Sequence, residues 1–175
     1  VYNHLNVEST GGWNLLRRVK AAETSELDRS LKALNTDALA KAVHLTARAD
    51  NVYLAAYGSA LPLQQFLSYQ LTLMGLNVVD MTHVNDMKLL AQYCVHMGPR
   101  ADVIISLSFK GVCRNIEHIL KFAKAFNIPS IAFSENGESE ISRLSSHRIP
   151  IKRAVIGELK SLAAPMSLLN LFVMQ

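Results

Sequence analysis

The residues best placed to do chemistry are Ser108, Phe109, Lys110 and Gly111, which lie between two patterned stretches. Before them, Asp102–Ser108 is a short β-branched, almost wholly apolar run, as expected of a strand buried on both faces. After them, Ile116, Ile119, Leu120 and Ala123 recur at helical spacing. Residues 101–123 therefore read as strand, tight loop, helix. The first turn of a helix carries free backbone N–H groups, and here Ser108 and Lys110 sit beside them. Such a loop can hold a small anion.

Two further loops have the same small, polar character: Gly58-Ser59-Ala60 and the stretch 134–139, which begins at Ser134. The elements around them set their position. Residues 13–34 read as a helix with Leu27, Leu31 and Leu34 on one face. Asn35-Thr36-Asp37 supplies a stop and a new N-cap, and Leu39, Ala42, Val43 and Ala47 give a second helix. A strand at 52–57 precedes Gly58, and Pro62 suits the first turn of the next helix. That helix has Leu63, Phe66, Leu67, Leu71 and Met74 as its expected buried face, and Gly75 ends it. A second strand at 77–81, a helix at 90–97, the 102–108 strand, a fourth strand at 130–134, a short helix at 139–146 and a fifth strand at 148–151 follow. Leu159, Leu162, Met166, Leu169 and Val173 read as one face of the last helix.

Strands thus alternate with helices, and no hairpin signal sits between adjacent strands. Parallel strands require crossovers, so the expected fold is α/β: a parallel sheet with both faces covered, preceded by two helices. Ligands in such folds sit beyond the C-terminal ends of the strands, where the strand order reverses. The loops at 58–60, 108–113 and 134–139 lie at those ends.

Composition narrows the class. The 175 residues are 50% hydrophobic, which excludes a disordered chain, and they suffice for one domain with an appendage. The net charge of +4 is mild, basic residues are scattered and aromatics make up 7%, so these residues do not point to nucleic acid. Cys94 and Cys113 lack metal-ligand spacing and read as reduced thiols of a cytoplasmic protein. Cys113 reads as a small buried side chain, although a place near a helix N-terminus would activate it if exposed. His83, His96 and His118 are isolated and take no role. No apolar run spans a membrane, no secretory signal is present, and neither a metal nor a cofactor is implied. The chain opens on Val1 rather than Met, so upstream sequence is expected.

The loops carry a resemblance. Gly58-Ser59-Ala60 is similar to the first loop of the sugar isomerase (SIS) domain family, Gly-Ser/Thr-Ser. Ser108-Phe109-Lys110-Gly111-Val112-Cys113 is similar to its Ser-x-Ser-Gly-x-Thr signature. Ser134 and Ser139-Glu140-Ile141-Ser142-Arg143-Leu144 match the polar loop and helix after strand four. Within that family the chain most resembles the effector domain of RpiR-type bacterial transcription regulators, both in the lead-in at 24–50 and in the last helix at 163–172.

The resemblance implies a three-layer α/β/α sandwich on a five-stranded parallel sheet, commonly a dimer, that binds phosphosugars through hydroxyls and backbone N–H groups. It divides the chain into a helical lead-in at 1–50, with a possible dimer contact, and an SIS-like domain at 51–175. The implied ligand residues are Gly58, Ser59, Ala60, Ser108, Phe109, Lys110, Gly111, Cys113, Ser134 and Glu158. Three of the family's hydroxyls are replaced, by Ala60, Lys110 and Cys113. Each lost hydrogen bond to a charged group costs about 1.5–3 kcal/mol. Lys110 supplies a point charge in return.

Three functions follow from these expectations. The first is a non-catalytic sensor of a phosphosugar or sugar acid, with a DNA-binding helix-turn-helix domain upstream. The second is a phosphosugar isomerase in which Glu158, near the start of the last helix, is the base; Pro165 stands where the family's helper Lys would align. The third is a dimerisation module with an empty cleft. A first-turn glutamate that favours the helix dipole is the structural alternative for Glu158.

Overall fold

The structure is a computed structural model that describes residues 12–82, 102–109, 113–135 and 139–175. Lys110, Gly111, Cys94, His83, His96 and the helix expected at 90–97 lie outside the described residues.

Two helices come first, α1 (Gly12–Lys32) and α2 (Thr36–Ala47). The Asn35 side chain caps α2 by accepting a hydrogen bond from the Ala38 N–H at 3.0 Å. Strand β1 (Asn51–Tyr57) leads through a 3₁₀ turn, Gly58–Ala60, into α3 (Leu61–Leu73), and β2 (Val78–Asp80) follows. Gly58 enters that turn at φ +60°, a conformation a side chain would strain. Strand β3 (Asp102–Ser108), α4 (Arg114–Ala125), β4 (Ser130–Ser134), α5 (Glu140–Leu144) and β5 (His147–Pro150) complete the main sheet. The chain ends with a small hairpin, β6 (Val155–Ile156) and β7 (Leu159–Lys160), and helix α6 (Ala163–Met174).

The sheet is wholly parallel in the order β2-β1-β3-β4-β5. Alternation along each strand divides the core. Val52, Leu54, Val103, Ile105, Leu107, Ile131, Phe133 and Ile149 face α2, α3 and α6. Tyr53, Ala55, Ile104 and Ala132 face the other way, onto Ile116, Ile119, Leu120 and Ala123 of α4 and Ile141 of α5. This is the expected α/β/α sandwich with two helices ahead of the sheet. Leu39 and Ala42 of α2 belong to the first of these cores, each large side chain contributing about 1.5–3 kcal/mol on full burial.

Four sequence expectations need correction. Leu31 is 47% exposed, while Glu26 and Ser30 are buried. The reason is that α1 docks on α6 and β6 through a stripe that includes Glu23, where the Ser161 hydroxyl donates to Glu23 Oε1 at 2.5 Å. Met74 caps α3 at its end and is exposed, because the helix stops one residue before it. A hairpin is present after all, at 155–160, with Ile156 paired to Leu159 across Gly157-Glu158. Leu159 consequently lies in β7 and not on α6, which begins at Ala163.

Candidate functional site

The strand order reverses between β1 and β3, since β2 lies outside β1 and β4 outside β3. The register pairs Tyr57 with Ser108 and Ser108 with Ser134, so three strands end level and their following loops open at one edge. A cavity of about 370 Å³ lies there, lined in part by Tyr57, Gly58, Thr82, Cys113, Asn115 and Ile116. That size falls in the range of small-molecule sites.

The described site residues fall into distinct environments. Ser59 is exposed at the 3₁₀ turn, whereas Ala60 is fully buried. Ser108 ends β3, and its Oγ is buried with no hydrogen-bond partner among the described residues. Phe109 is buried and belongs to the core under α3 and α6. Cys113 is buried in the opposite core and stands at the N-cap of α4 without a side-chain capping bond. The buried Ser134 is tied at 2.7 Å to Ser142 Oγ, which receives a bond from Ser139 at 3.1 Å. Ser139 caps α5 through the Ser142 N–H. Ala60 and Cys113 are thus core residues, and Ser134 anchors a helix.

Glu158 is displaced from the place the sequence implied. It is exposed in the turn of the β6–β7 hairpin and makes no hydrogen bond or ion pair among the described residues. The first turn of α6 begins five residues later, so the helix-dipole role falls away too. Gly157, at φ +62°, makes that turn. Pro165 is buried in α6.

The residue that joins the loops is Arg153, which sequence reasoning missed. After β5 the chain stays extended: the Ile151 N–H donates to the Ser134 carbonyl at 2.9 Å. The in–out alternation continues, with Ile151 buried, Lys152 exposed and Arg153 buried. The guanidinium is thereby carried across the strand ends. Nε donates to Glu135 Oε1 at 2.8 Å, Nη1 donates to Ser59 Oγ at 2.8 Å, and Nη2 reaches the Phe109 carbonyl at 3.5 Å. The guanidinium carbon also lies 4.6 Å from the centre of the Phe109 ring, a cation–π contact.

One side chain therefore bridges the loops after β1, β3 and β4. Glu135 takes a second cation, Lys160 Nζ, at 3.1 Å. Burial alone would raise the Glu135 carboxyl, but the hydrogen bonds from Arg153 and Lys160 outweigh it and hold the pKa below the ordinary value. The site thus sets two cations against one carboxylate. Among the described residues, no group of His, Cys, Asp or Glu is arranged to hold a metal.

The available sequence signals were weak. Lys152-Arg153 after a strand reads as a solvated pair, and only the alternation 149, 151, 153 marks Arg153 as inward. Gly157-Glu158, between Val155-Ile156 and Leu159-Lys160, is the two-residue Gly-X turn signal that marks the hairpin.

Comparison with known proteins agrees with this geometry. A family model described as the SIS domain matches residues 45–175. Among solved structures, the RpiR transcription factor of Sphaerobacter thermophilus (sugar isomerase domain) is similar at TM-score 0.82 and 22% identity, over 91% of this chain and 88% of that one. The Vibrio vulnificus NanR protein complexed with ManNAc-6P is similar at TM-score 0.78 and 19% identity, over 95% of this chain and 62% of its own length. A Methanococcus jannaschii protein, whose structure infers a molecular function of 3-hexulose-6-phosphate isomerase, is similar at TM-score 0.65 and 13% identity, over 91% and 84%. At these identities the likeness establishes the fold. No curated protein matches the chain by sequence.

Proposed function

The chain belongs to the SIS domain family, and from that premise we propose that it is the non-catalytic, ligand-sensing part of an RpiR-type transcription regulator. Its ligand is a small anionic sugar derivative, a phosphosugar or sugar acid. A DNA-binding helix-turn-helix domain precedes it in the full protein, with residues 1–50 as the lead-in and residues 51–175 as the sensing domain. The observation that carries the reading is a connection from the cleft to α1. Glu135 at the cleft holds Lys160 of β7, and the next residue, Ser161, is hydrogen-bonded to Glu23 of α1. A ligand that moves Glu135 therefore acts on the hairpin against which the lead-in helix is docked. A ligand shifts such an equilibrium by its differential affinity for the two arrangements.

The ligand class is supported by the two cations at the strand ends, Arg153 and Lys160, and by the similarity to NanR, which was solved with ManNAc-6P. Against the isomerase stands Glu158, exposed in a hairpin turn, since a base must be held within hydrogen-bond reach of the carbon-bound proton it moves. We further propose that the domain acts as a homodimer, for which the exposed Trp13, Leu15 and Leu16 of α1 offer apolar surface.

Thermal-shift screening of phosphorylated sugars, sugar acids and their neutral parent sugars tests the reading. Stabilisation by at least one anionic sugar, without its turnover to an isomer, is the expected result. Stabilisation by none overturns the sensing role, and turnover of the stabilising compound restores the enzyme.

A further inference from the structure

We infer that Arg153 is the anion-recognising residue at the C-terminal strand ends and that Glu135, held on its Nε, is an internal counter-ion that competes with an incoming phosphate or carboxylate for its charge. The inference rests on the reading of the cleft as a ligand site and goes beyond it by naming the group that reads the charge.

A guanidinium has five N–H donors in a planar fork. Arg153 uses one on Glu135, one on Ser59 and one, at a long 3.5 Å, on the Phe109 carbonyl. That leaves one N–H on each of Nη1 and Nη2 without a partner among the described residues. The side chain is only 5% exposed. Burying a cation is costly, and unmet buried donors add to that. A protein that built this side chain only to fill space would do better with an apolar one. Two free N–H groups on adjacent nitrogens instead match the paired oxygens of a phosphate or carboxylate.

Two further observations point the same way. The Ser108 hydroxyl, one residue from Phe109, is buried and unpartnered among the described residues, an acceptor and donor awaiting a partner at the same strand edge. Ala60 and Cys113, where the family pattern has hydroxyls, are packed in the two cores and offer no strong donor to an anion. The charge reading has therefore moved from loop hydroxyls to Arg153. Lys160 is already at Glu135, so the carboxylate is shared between two cations.

The competition gives the test an unusual sign. Calorimetric titration of the wild type, R153M, R153K and E135Q with ManNAc-6P, inorganic phosphate, gluconate and neutral ManNAc measures it. For any anionic probe that binds the wild type, R153M should weaken binding at least tenfold. R153K, which keeps the charge and loses the fork, should fall between. E135Q should strengthen binding several-fold, because the competing carboxylate is gone. A purely structural Arg153–Glu135 clamp predicts instead that R153M and E135Q weaken binding alike, and that outcome overturns the inference. Binding equal in wild type and R153M overturns it as well, while leaving the cleft a ligand site. No binding of any probe to the wild type overturns both readings. ManNAc-6P and phosphate against gluconate distinguish a phosphate from a carboxylate ligand. Unchanged far-UV circular dichroism verifies folding of each variant, and R153K carries the test if R153M does not fold.

Discussion

The two edges of the main sheet both carry polar side chains and treat them in opposite ways. At the N-terminal edge the Asn77 side chain donates to Asn51 Oδ1, and the Asn51 amide donates in turn to Asp102 Oδ1 at 2.8 Å. Those three residues lie at the starts of β2, β1 and β3 and close on one another. At the C-terminal edge Arg153 gathers Ser59, Phe109 and Glu135 and still has donors left over, while the Ser108 hydroxyl is buried without a partner among the described residues. Both edges belong to one parallel sheet, so strand geometry does not explain the difference. The open donors and the Ser108 hydroxyl at the C-terminal edge fit a ligand that completes them, whereas the N-terminal ladder is closed on itself.

If the N-terminal ladder is structural, Asn51→Ala should show the largest stability loss. It removes a hydrogen bond to a buried carboxylate, about 1.5–3 kcal/mol, or roughly 3–12 °C in Tm for a domain of this size. Thermal unfolding measures it, and the affinity for any ligand found should be unchanged. A loss of ligand affinity in that variant would blur the distinction between the edges.

The C-terminal edge should behave in the opposite way. Ser108→Ala removes a buried hydroxyl that has no partner among the described residues, so the ligand-free protein should gain about 1 kcal/mol and bind its anion more weakly. Destabilisation by this change would mean that the hydroxyl already has a partner. A change at the docking of α1 should be smaller. Glu23→Ala removes the hydrogen bond from Ser161 to a half-buried carboxylate, which solvent screens to about 0.5–1.5 kcal/mol, and hydrogen exchange should rise in α1 while the sheet is unaffected.

Acid titration separates the edges with the smallest effects. His147 begins β5 at the N-terminal edge, and burial, with the nearby charge of Lys41, lowers its pKa from 6.5. Folding favours the neutral ring, so stability falls as the pH drops through 6.5 towards the lowered value. Glu135, at the C-terminal edge, has a folded pKa below its ordinary 4.5. Its contribution is present above that value and is lost as the pH falls further, in modest amount because the group is partly solvated. Tm against pH should therefore show two stages. His147→Asn should remove the first and Glu135→Gln the second, and a bound anion should alter the second alone.

The sequence made the sheet legible and the charge within the cleft illegible. Asp102–Ser108 and Ser130–Ser134 were readable to the residue, because runs buried on both faces leave no ambiguity of period. The loops at Gly58 and Ser108 were placed correctly, since the topology of alternating strands and helices fixes which ends hold ligands. What the residues in those loops contact was not readable. Ala60 and Cys113 occupy aligned positions yet belong to the cores. Arg153 approaches from β5, the far edge of the sheet, and only three-dimensional convergence brings it to Ser59, 94 positions earlier. The buried face of α1 was also hidden, because Glu23 is held by a hydroxyl on a hairpin too short to give a periodic signal. Charged residues that turn inward carry no hydrophobic pattern by which to be found.

The most direct test is a crystal structure of the protein grown with whichever anionic sugar gives the largest thermal shift. The anionic group should lie at the C-terminal edge, its oxygens facing Nη1 and Nη2 of Arg153 and the Ser108 hydroxyl within reach. A ligand bound elsewhere, touching neither the Nη1 and Nη2 donors of Arg153 nor the Ser108 hydroxyl, would contradict this.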